Sequence, residues 1–312
     1  MRGLLYYIFL YIKGLCIGAT GVLHGISGGS MALLLGVHHH FVFSIGAFDA
    51  RALSLLRQKR ISAFWKKING NFLLLLFGGI TIALFTLRPI FNHYYQESPI
   101  LVASFFFSLV IIAALLLLRK VTRWRPATVV YLLAGFGLSY FITCAAPMST
   151  PDNGFFAFLT GIVTGITFVI PGVSGAFILM IFGKYQYILA SFGALEIDVI
   201  TLFVGGAMLG IAVTARFIAT LLTRYFNATV ALFAGLMTGS LNKIWPWREV
   251  LEYVTTVQGK RIPAFEKSIL PWRYLETTGK DPQVFYAILM MALGVLIVVI
   301  IEKVAVRLKT QS

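Results

Sequence analysis

The chain has 312 residues, of which 59% are apolar and only 12% charged. Soluble globular domains carry roughly 25% charged and about 45–50% apolar residues, so this composition excludes one and predicts a polytopic membrane protein. The mean hydropathy of +0.88 agrees. A net charge of +15 would suggest nucleic-acid binding on a soluble chain. Here the Lys and Arg residues sit mostly in short loops between apolar runs, the pattern that orients membrane helices, so no nucleic-acid partner is expected. Cys16 and Cys144 lie in apolar segments without ligand-like spacing and predict neither a disulfide nor a zinc site. The N-terminus has no A-x-A-like cleavage site and reads as retained.

In chain order, residues 1–12 read as an interfacial helix, because Lys13 would be costly at mid-bilayer. An apolar stretch from about residue 14 to 47 follows, with Gly25-Ile26-Ser27-Gly28-Gly29-Ser30 at its centre. Spans are expected at Phe72–Leu87, Ile100–Leu118 and Ala127–Ala146. A second long apolar stretch, about residues 155–190, is interrupted by Pro171-Gly172-Val173-Ser174-Gly175. Proline removes a helix hydrogen bond and glycine relaxes the backbone, so the helix stops there. Each arm would reach only about 24 Å against a hydrocarbon core of about 30 Å. A re-entrant hairpin follows naturally; two short spans joined by a tight turn are the plainer alternative. Further spans are expected at Val199–Leu222, Thr229–Leu241 and Val284–Ile301.

Arg51, Arg57, Lys59, Arg60, Lys66 and Lys67 crowd one loop, and Arg119, Lys120, Arg123 and Arg125 another. The loops of opposite parity, 147–154 and 191–198, carry no Lys or Arg. The positive-inside rule then places both termini in the cytoplasm and the long 242–283 loop outside. Trp245-Pro246-Trp247 reads as part of an interfacial aromatic belt.

Sliding the chain by 147 residues superimposes the two broken stretches: Gly14, Gly18, Ser27, Gly28 and Gly36 fall on Gly161, Gly165, Ser174, Gly175 and Gly183. A shift of 127 continues the match, with Gly78-Gly79 on Gly205-Gly206 and Phe106 on Phe233. The expected fold class is therefore an all-α polytopic membrane protein. It has two inverted repeats, 1–147 and 148–312, each a re-entrant hairpin followed by three transmembrane helices. Three spans per half is an odd number, so the second half sits upside down, as in secondary transporters with a midplane substrate site.

A hairpin turn leaves backbone N–H groups unpaired at the start of its return arm, which favours an anion. Gly25, Gly28, Gly29, Gly172 and Gly175 would admit it, and Ser27, Ser30 and Ser174 would add hydroxyl donors. The plainer alternative is that these small residues permit close helix packing, which is also the reading of Gly206-x-x-x-Gly210. Arg216 lies within a span and reads either as a phosphate-binding charge or as a snorkelling anchor; Arg88, near the matching place, reads as an anchor. Lys184 could hold an anion or meet lipid headgroups. His38-His39-His40 cannot all face one ion on a helix, so a protonatable patch is expected rather than a metal site. His24 is either a pH-sensitive donor beside the anion or a hydrogen-bonded core histidine. No nucleophile–base pair, phosphate loop or paired carboxylates appear, so no enzyme and no bound cofactor is expected.

The two Gly/Ser blocks with Gly36 and Gly183, Leu236-Met237-Thr238-Gly239-Ser240-Leu241 and Trp245-Pro246-Trp247 together resemble the PopT-type polyprenyl-phosphate transporters over nearly the whole chain. The resemblance implies translocation of undecaprenyl phosphate, or a related polyprenyl phosphate, back to the cytoplasmic leaflet of the bacterial inner membrane, where lipids surround it. An ion-coupled transporter of a small soluble anion is the alternative. In the family's first block an Asp, a Pro, a Thr and a later acid stand where this chain has Gly21, His24, Ser30 and His39. If those acids carry a coupling proton or sodium ion in relatives, His24 or His39 would take the role here. No oligomeric state follows from the sequence.

Overall fold

The computed structural model describes residues 2–20, 27–255 and 261–310. In chain order it comprises α1 (Arg2–Thr20), α2 (Gly28–Leu34), α3 (His38–Gly46), the short α4 (Ala50–Arg57) and α5 (Ile61–Lys67), and the long α6 (Gly70–Glu97), α7 (Pro99–Leu118) and α8 (Pro126–Thr143). The second half holds α9 (Gly154–Val169), α10 (Gly175–Ile181), α11 (Tyr185–Ala194), α12 (Ile197–Arg224) and α13 (Phe226–Ile244). Strands β1 (Arg248–Thr255) and β2 (Arg261–Ser268), α14 (Pro271–Thr278) and α15 (Val284–Thr310) complete it. Among the described residues, α7, α8 and α12 are each long and apolar enough to cross a membrane, and two bent helix pairs raise that number to five. The chain is a mostly helical polytopic membrane protein.

Elements recur at the two offsets read in the sequence. Helices α2 and α10 are both seven residues long and 147 apart, and α6 and α12 are both 28 long and 127 apart. The caps agree too: Ser27 has φ −87°, ψ 130° and Ser174 has φ −88°, ψ 128°. So does helix packing. A Cβ on Gly14 of α1 would come within 2.4 Å of the Leu76 carbonyl of α6, and one on Gly161 of α9 within 2.3 Å of the Phe203 carbonyl of α12. Gly79 and Gly206 stand in the same relation to the Tyr11 and Phe158 carbonyls. One turn further on, Gly18 and Gly165 meet the carbonyls of Ile80 and Ala207 in the same way, four residues on along both partners, so α1 runs parallel to α6 and α9 to α12. The elements between them must therefore bring the chain back.

Three expectations need correction. Residues 2–12 are not a separate helix: α1 runs unbroken through Lys13 and Gly14, because Gly14 is where it presses on α6. Each return arm is two helices rather than one, with α10 and α11 bent by 109°. Gly36 (φ 71°) and Gly183 (φ 64°) end α2 and α10 in left-handed turns. The amides of Val37 and Lys184 then reach back to the carbonyls of Ala32 and Leu179, as a Schellman ending requires. Finally, the fold is not purely helical, since β1 and β2 pair antiparallel within the expected 242–283 loop.

The 242–283 segment is bound to the helix ends rather than hanging from them. Trp245 donates its indole N–H to the Ile269 carbonyl at 2.7 Å, and Trp247, 4% exposed, donates to the Pro282 carbonyl at 2.7 Å. Trp247 packs with Ile100, Ile269, Tyr274 and Ala287, so it anchors this segment instead of facing lipid. The main core draws on both halves, with Phe41, Leu76 and Phe106 meeting Val169, Phe233 and Met237.

Candidate functional site

The start of α2 and the start of α3 lie against the break between α9 and α10. This break, residues 169–172, is held by side chains of α2, its cap and α3. The His38 Nε2 lies 2.8 Å from the Val169 carbonyl; a carbonyl only accepts, so this nitrogen carries the proton. Ser27 donates its hydroxyl to the Ile170 carbonyl at 3.4 Å, and the Ser30 hydroxyl accepts the Gly172 amide at 2.9 Å. From α8, Ser139 donates to the Gly172 carbonyl at 3.3 Å. Glycine allows this approach: a Cβ on Gly29 would meet the Ile170 backbone at 3.3 Å, and one on Gly172, at φ +93°, would lie 2.5–2.6 Å from the backbone of Leu236 and Met237. The space beside Gly28 is taken by the Phe168 ring, and that beside Gly175 by Thr164. His24 and Gly25 lie outside the described residues.

A small pocket opens beside this junction, between α8, α10 and α13. Its polar wall is Ser139, Thr143, Ser174, Ser240 and Lys243. Ser174, 5% exposed, makes no side-chain bond to its own helix start. The Lys243 side chain is 10% exposed; its ammonium lies 4.6 Å over the Phe177 ring and 3.3 Å from the Glu266 Oε2 of β2. The Arg248 Nε lies 3.1 Å from the same oxygen, while its Nη1 bonds the carbonyls of Asn242 and Lys243 that end α13. A second pocket, lined by Ser30, Leu34, Phe106 and Ala113 among others, is related to the first by the repeat: Ser30 corresponds to Phe177 and Ala113 to Ser240. It is apolar apart from Ser30.

The other charged candidates stand elsewhere. Arg216 is exposed on α12 and its Nη2 donates to the Phe48 carbonyl at 2.6 Å, at the opposite end of α3 from His38. Lys184 is fully buried at the α10–α11 turn, bonded to the Thr150 carbonyl and the Asp152 carboxylate. Its place right after Gly183 puts it at the far end of α10 from Ser174. The three adjacent histidines diverge: His38 is buried, His39 stacks on Phe43 and is exposed, and His40 lies beside Phe72. Sequence reasoning treated them as one patch and so missed the bridge made by His38. It also missed Lys243, placing the end of the span at Leu241; a lysine one turn beyond Ser240 was the available signal.

A family model described as VCA0040-like, undecaprenyl phosphate translocase-like, matches residues 17–262, which include both turns, the pocket and Lys243. The chain belongs to this family. It is 30% identical over 299 residues to a polyprenyl-phosphate transporter of Vibrio cholerae serotype O1, covering 96% of this chain and 97% of that protein. It is 26% identical over 256 residues to a polyprenyl-phosphate transporter of Staphylococcus aureus, covering 75% of this chain and 85% of that one. Both family relatives are transporters by name, not enzymes. No solved structure matches the chain.

Proposed function

We propose that the protein moves undecaprenyl phosphate, or a related polyprenyl phosphate, between the leaflets of the cytoplasmic membrane, with the phosphate bound where the hairpin turns meet and the prenyl tail left in lipid. The observation that carries this reading is the hydroxyl-lined pocket with a nearly buried ammonium, Lys243, set against the junction of two repeat-related turns. Its hydroxyls and lysine can donate hydrogen bonds to a compact anion in a low-dielectric wall once the junction opens. The family membership and the names of both relatives support the same substrate class.

In this reading α1–α3 and α9–α11 are re-entrant hairpins, the two halves are inverted, and their rocking opens the junction to one face and then the other. Ser27 and Ser30 act by bracing the second turn, and Ser174 and Ser240 face the phosphate. A phosphate bound at Ser174 would use its otherwise uncommitted hydroxyl. Coupling to a proton or sodium ion remains part of the proposal, with His24 and His39 as its candidate titratable groups.

The test is native mass spectrometry of the purified protein with undecaprenyl phosphate, competed against inorganic phosphate and undecaprenol. Retention of the lipid phosphate, undisturbed by millimolar inorganic phosphate, is the expected outcome. Equal retention of undecaprenol, or displacement by inorganic phosphate, sinks it in favour of tail binding or a soluble-anion transporter.

A further inference from the structure

We propose that Glu266 is a resident counter-ion of the phosphate seat: it holds Lys243 and Arg248 while the transporter is empty, and an incoming phosphate monoester displaces it and frees β2 from the pocket, while Arg248, at the start of β1, keeps its bonds to the end of α13. The inference rests on the lipid-phosphate reading above and adds to it how the seat is closed.

Charge balance is the first argument. Two cations, Lys243 and Arg248, converge on a single carboxylate oxygen of Glu266. The pair of cations carries two positive charges and the carboxylate only one negative. A phosphate monoester carries about −1.5 to −2 at neutral pH and offers three acceptor oxygens, so it neutralises the pair better than Glu266 does. Arg248 is preorganised for the exchange, because its Nη1 stays bonded to the α13 carbonyls of Asn242 and Lys243.

The origin of the carboxylate is the second. Glu266 belongs not to the helical bundle but to a two-stranded hairpin, an architecture that is marginal in isolation, and whose register is irregular around Val250 and Glu252. Its hold on the pocket is by side chains. The Ser268 hydroxyl bonds the Asn242 Oδ1 at 2.9 Å, and the Asn242 Nδ2 bonds the Thr143 hydroxyl on the pocket rim at 3.0 Å. Motion of β2 is therefore transmitted to the rim.

Asymmetry between the repeats is the third. At the 127 offset Lys243 corresponds to Leu116 and Ser240 to Ala113, and α7 joins α8 through residues 119–125 with no hairpin. One pocket has a cationic seat and a carboxylate to close it; its repeat mate has neither. This difference would let the substrate be seated at one face and not at the other.

The experiment uses the full-length protein in nanodiscs, with hydrogen–deuterium exchange of residues 261–268 and binding measured with undecaprenyl phosphate, undecaprenol and inorganic phosphate. Undecaprenyl phosphate is expected to speed exchange in 261–268 by about fivefold, as opening of a locally held unit would, and undecaprenol to leave it unchanged. Glu266→Gln should bind undecaprenyl phosphate more tightly, and Lys243→Gln more weakly by at least about tenfold, the scale for truncating one partner of a buried charge pair. Opening by inorganic phosphate alone upholds the seat and moves the substrate to a soluble anion. Binding of undecaprenyl phosphate with unchanged exchange, or weaker binding together with a lower Tm in Glu266→Gln, overturns the inference and leaves Glu266 a structural clamp. A wild-type protein that binds neither phosphate overturns the underlying reading and the seat with it.

Discussion

Ser30 and Asp49 illustrate how much a single polar side chain decides in this chain. The Ser30 hydroxyl is the partner of the buried Gly172 amide. Ser30→Ala should strand that donor and cost about 1–3 kcal/mol, read as a lower Tm in detergent; an unchanged Tm would mean that the junction does not depend on this bond. Asp49 caps α4 and pairs with Lys67 at 3.0 Å. The Ala52 amide first, and then Lys67, hold its carboxyl below the usual carboxylate range. A lowered folded-state value means stability that is present above the ordinary Asp value and lost as the pH falls through the folded one. The pH-dependence of Tm on the acid side should flatten in Asp49→Asn, and a curve identical to wild type would remove Asp49 from the account. The sequence placed Ser27, Ser30 and Ser174 beside the two breaks, where the structure has Ser27 and Ser174 at the starts of α2 and α10 and Ser30 in the first turn of α2. It did not reveal that Ser27 and Ser30 bond the opposite turn, because those bonds join residues more than 140 apart.

At the level of elements, small residues set the helix spacing. Gly205 and Gly206 are neighbours on α12 with opposite surroundings: a Cβ on Gly205 meets nothing within 4 Å, whereas one on Gly206 would lie 2.2 Å from the Phe158 carbonyl. Gly205→Ala should be neutral or slightly stabilising through helix propensity. Gly206→Ala should overpack α9 against α12 and cost about 1–3 kcal/mol. Equal Tm values for the two variants would refute this packing. The packing reading of Gly206-x-x-x-Gly210 thus describes what the structure holds there. The same period of matched glycines was legible in the sequence, but the breaks at Gly36 and Gly183 were not. A lone glycine is compatible with a continuing helix until the backbone takes positive φ.

For the whole molecule, the proposed orientation puts the basic 51–67 loop in the cytoplasm and the 242–283 segment outside. With Cys16 and Cys144 replaced by Ser, a single cysteine introduced by Lys280→Cys should react with a membrane-impermeant maleimide in intact cells. One introduced by Lys59→Cys should react only after permeabilisation. Both residues are exposed, so access depends on sidedness alone. Labelling of both from the same side would defeat the orientation.

What the sequence by itself determined was set by composition and local order. A chain that is 59% apolar has to lie in lipid, Pro171-Gly172 has to end a helix, and two blocks in the same register imply elements that recur. Tertiary structure alone decided which groups meet. His38 reaches Val169, Lys243 and Arg248 share Glu266, and Arg216 and Lys184 find partners away from the turns. Hydropathy and spacing describe how one segment satisfies itself. A buried donor or charge is satisfied by whatever the packing of distant segments brings within reach, and that is settled only when the helices have closed on one another.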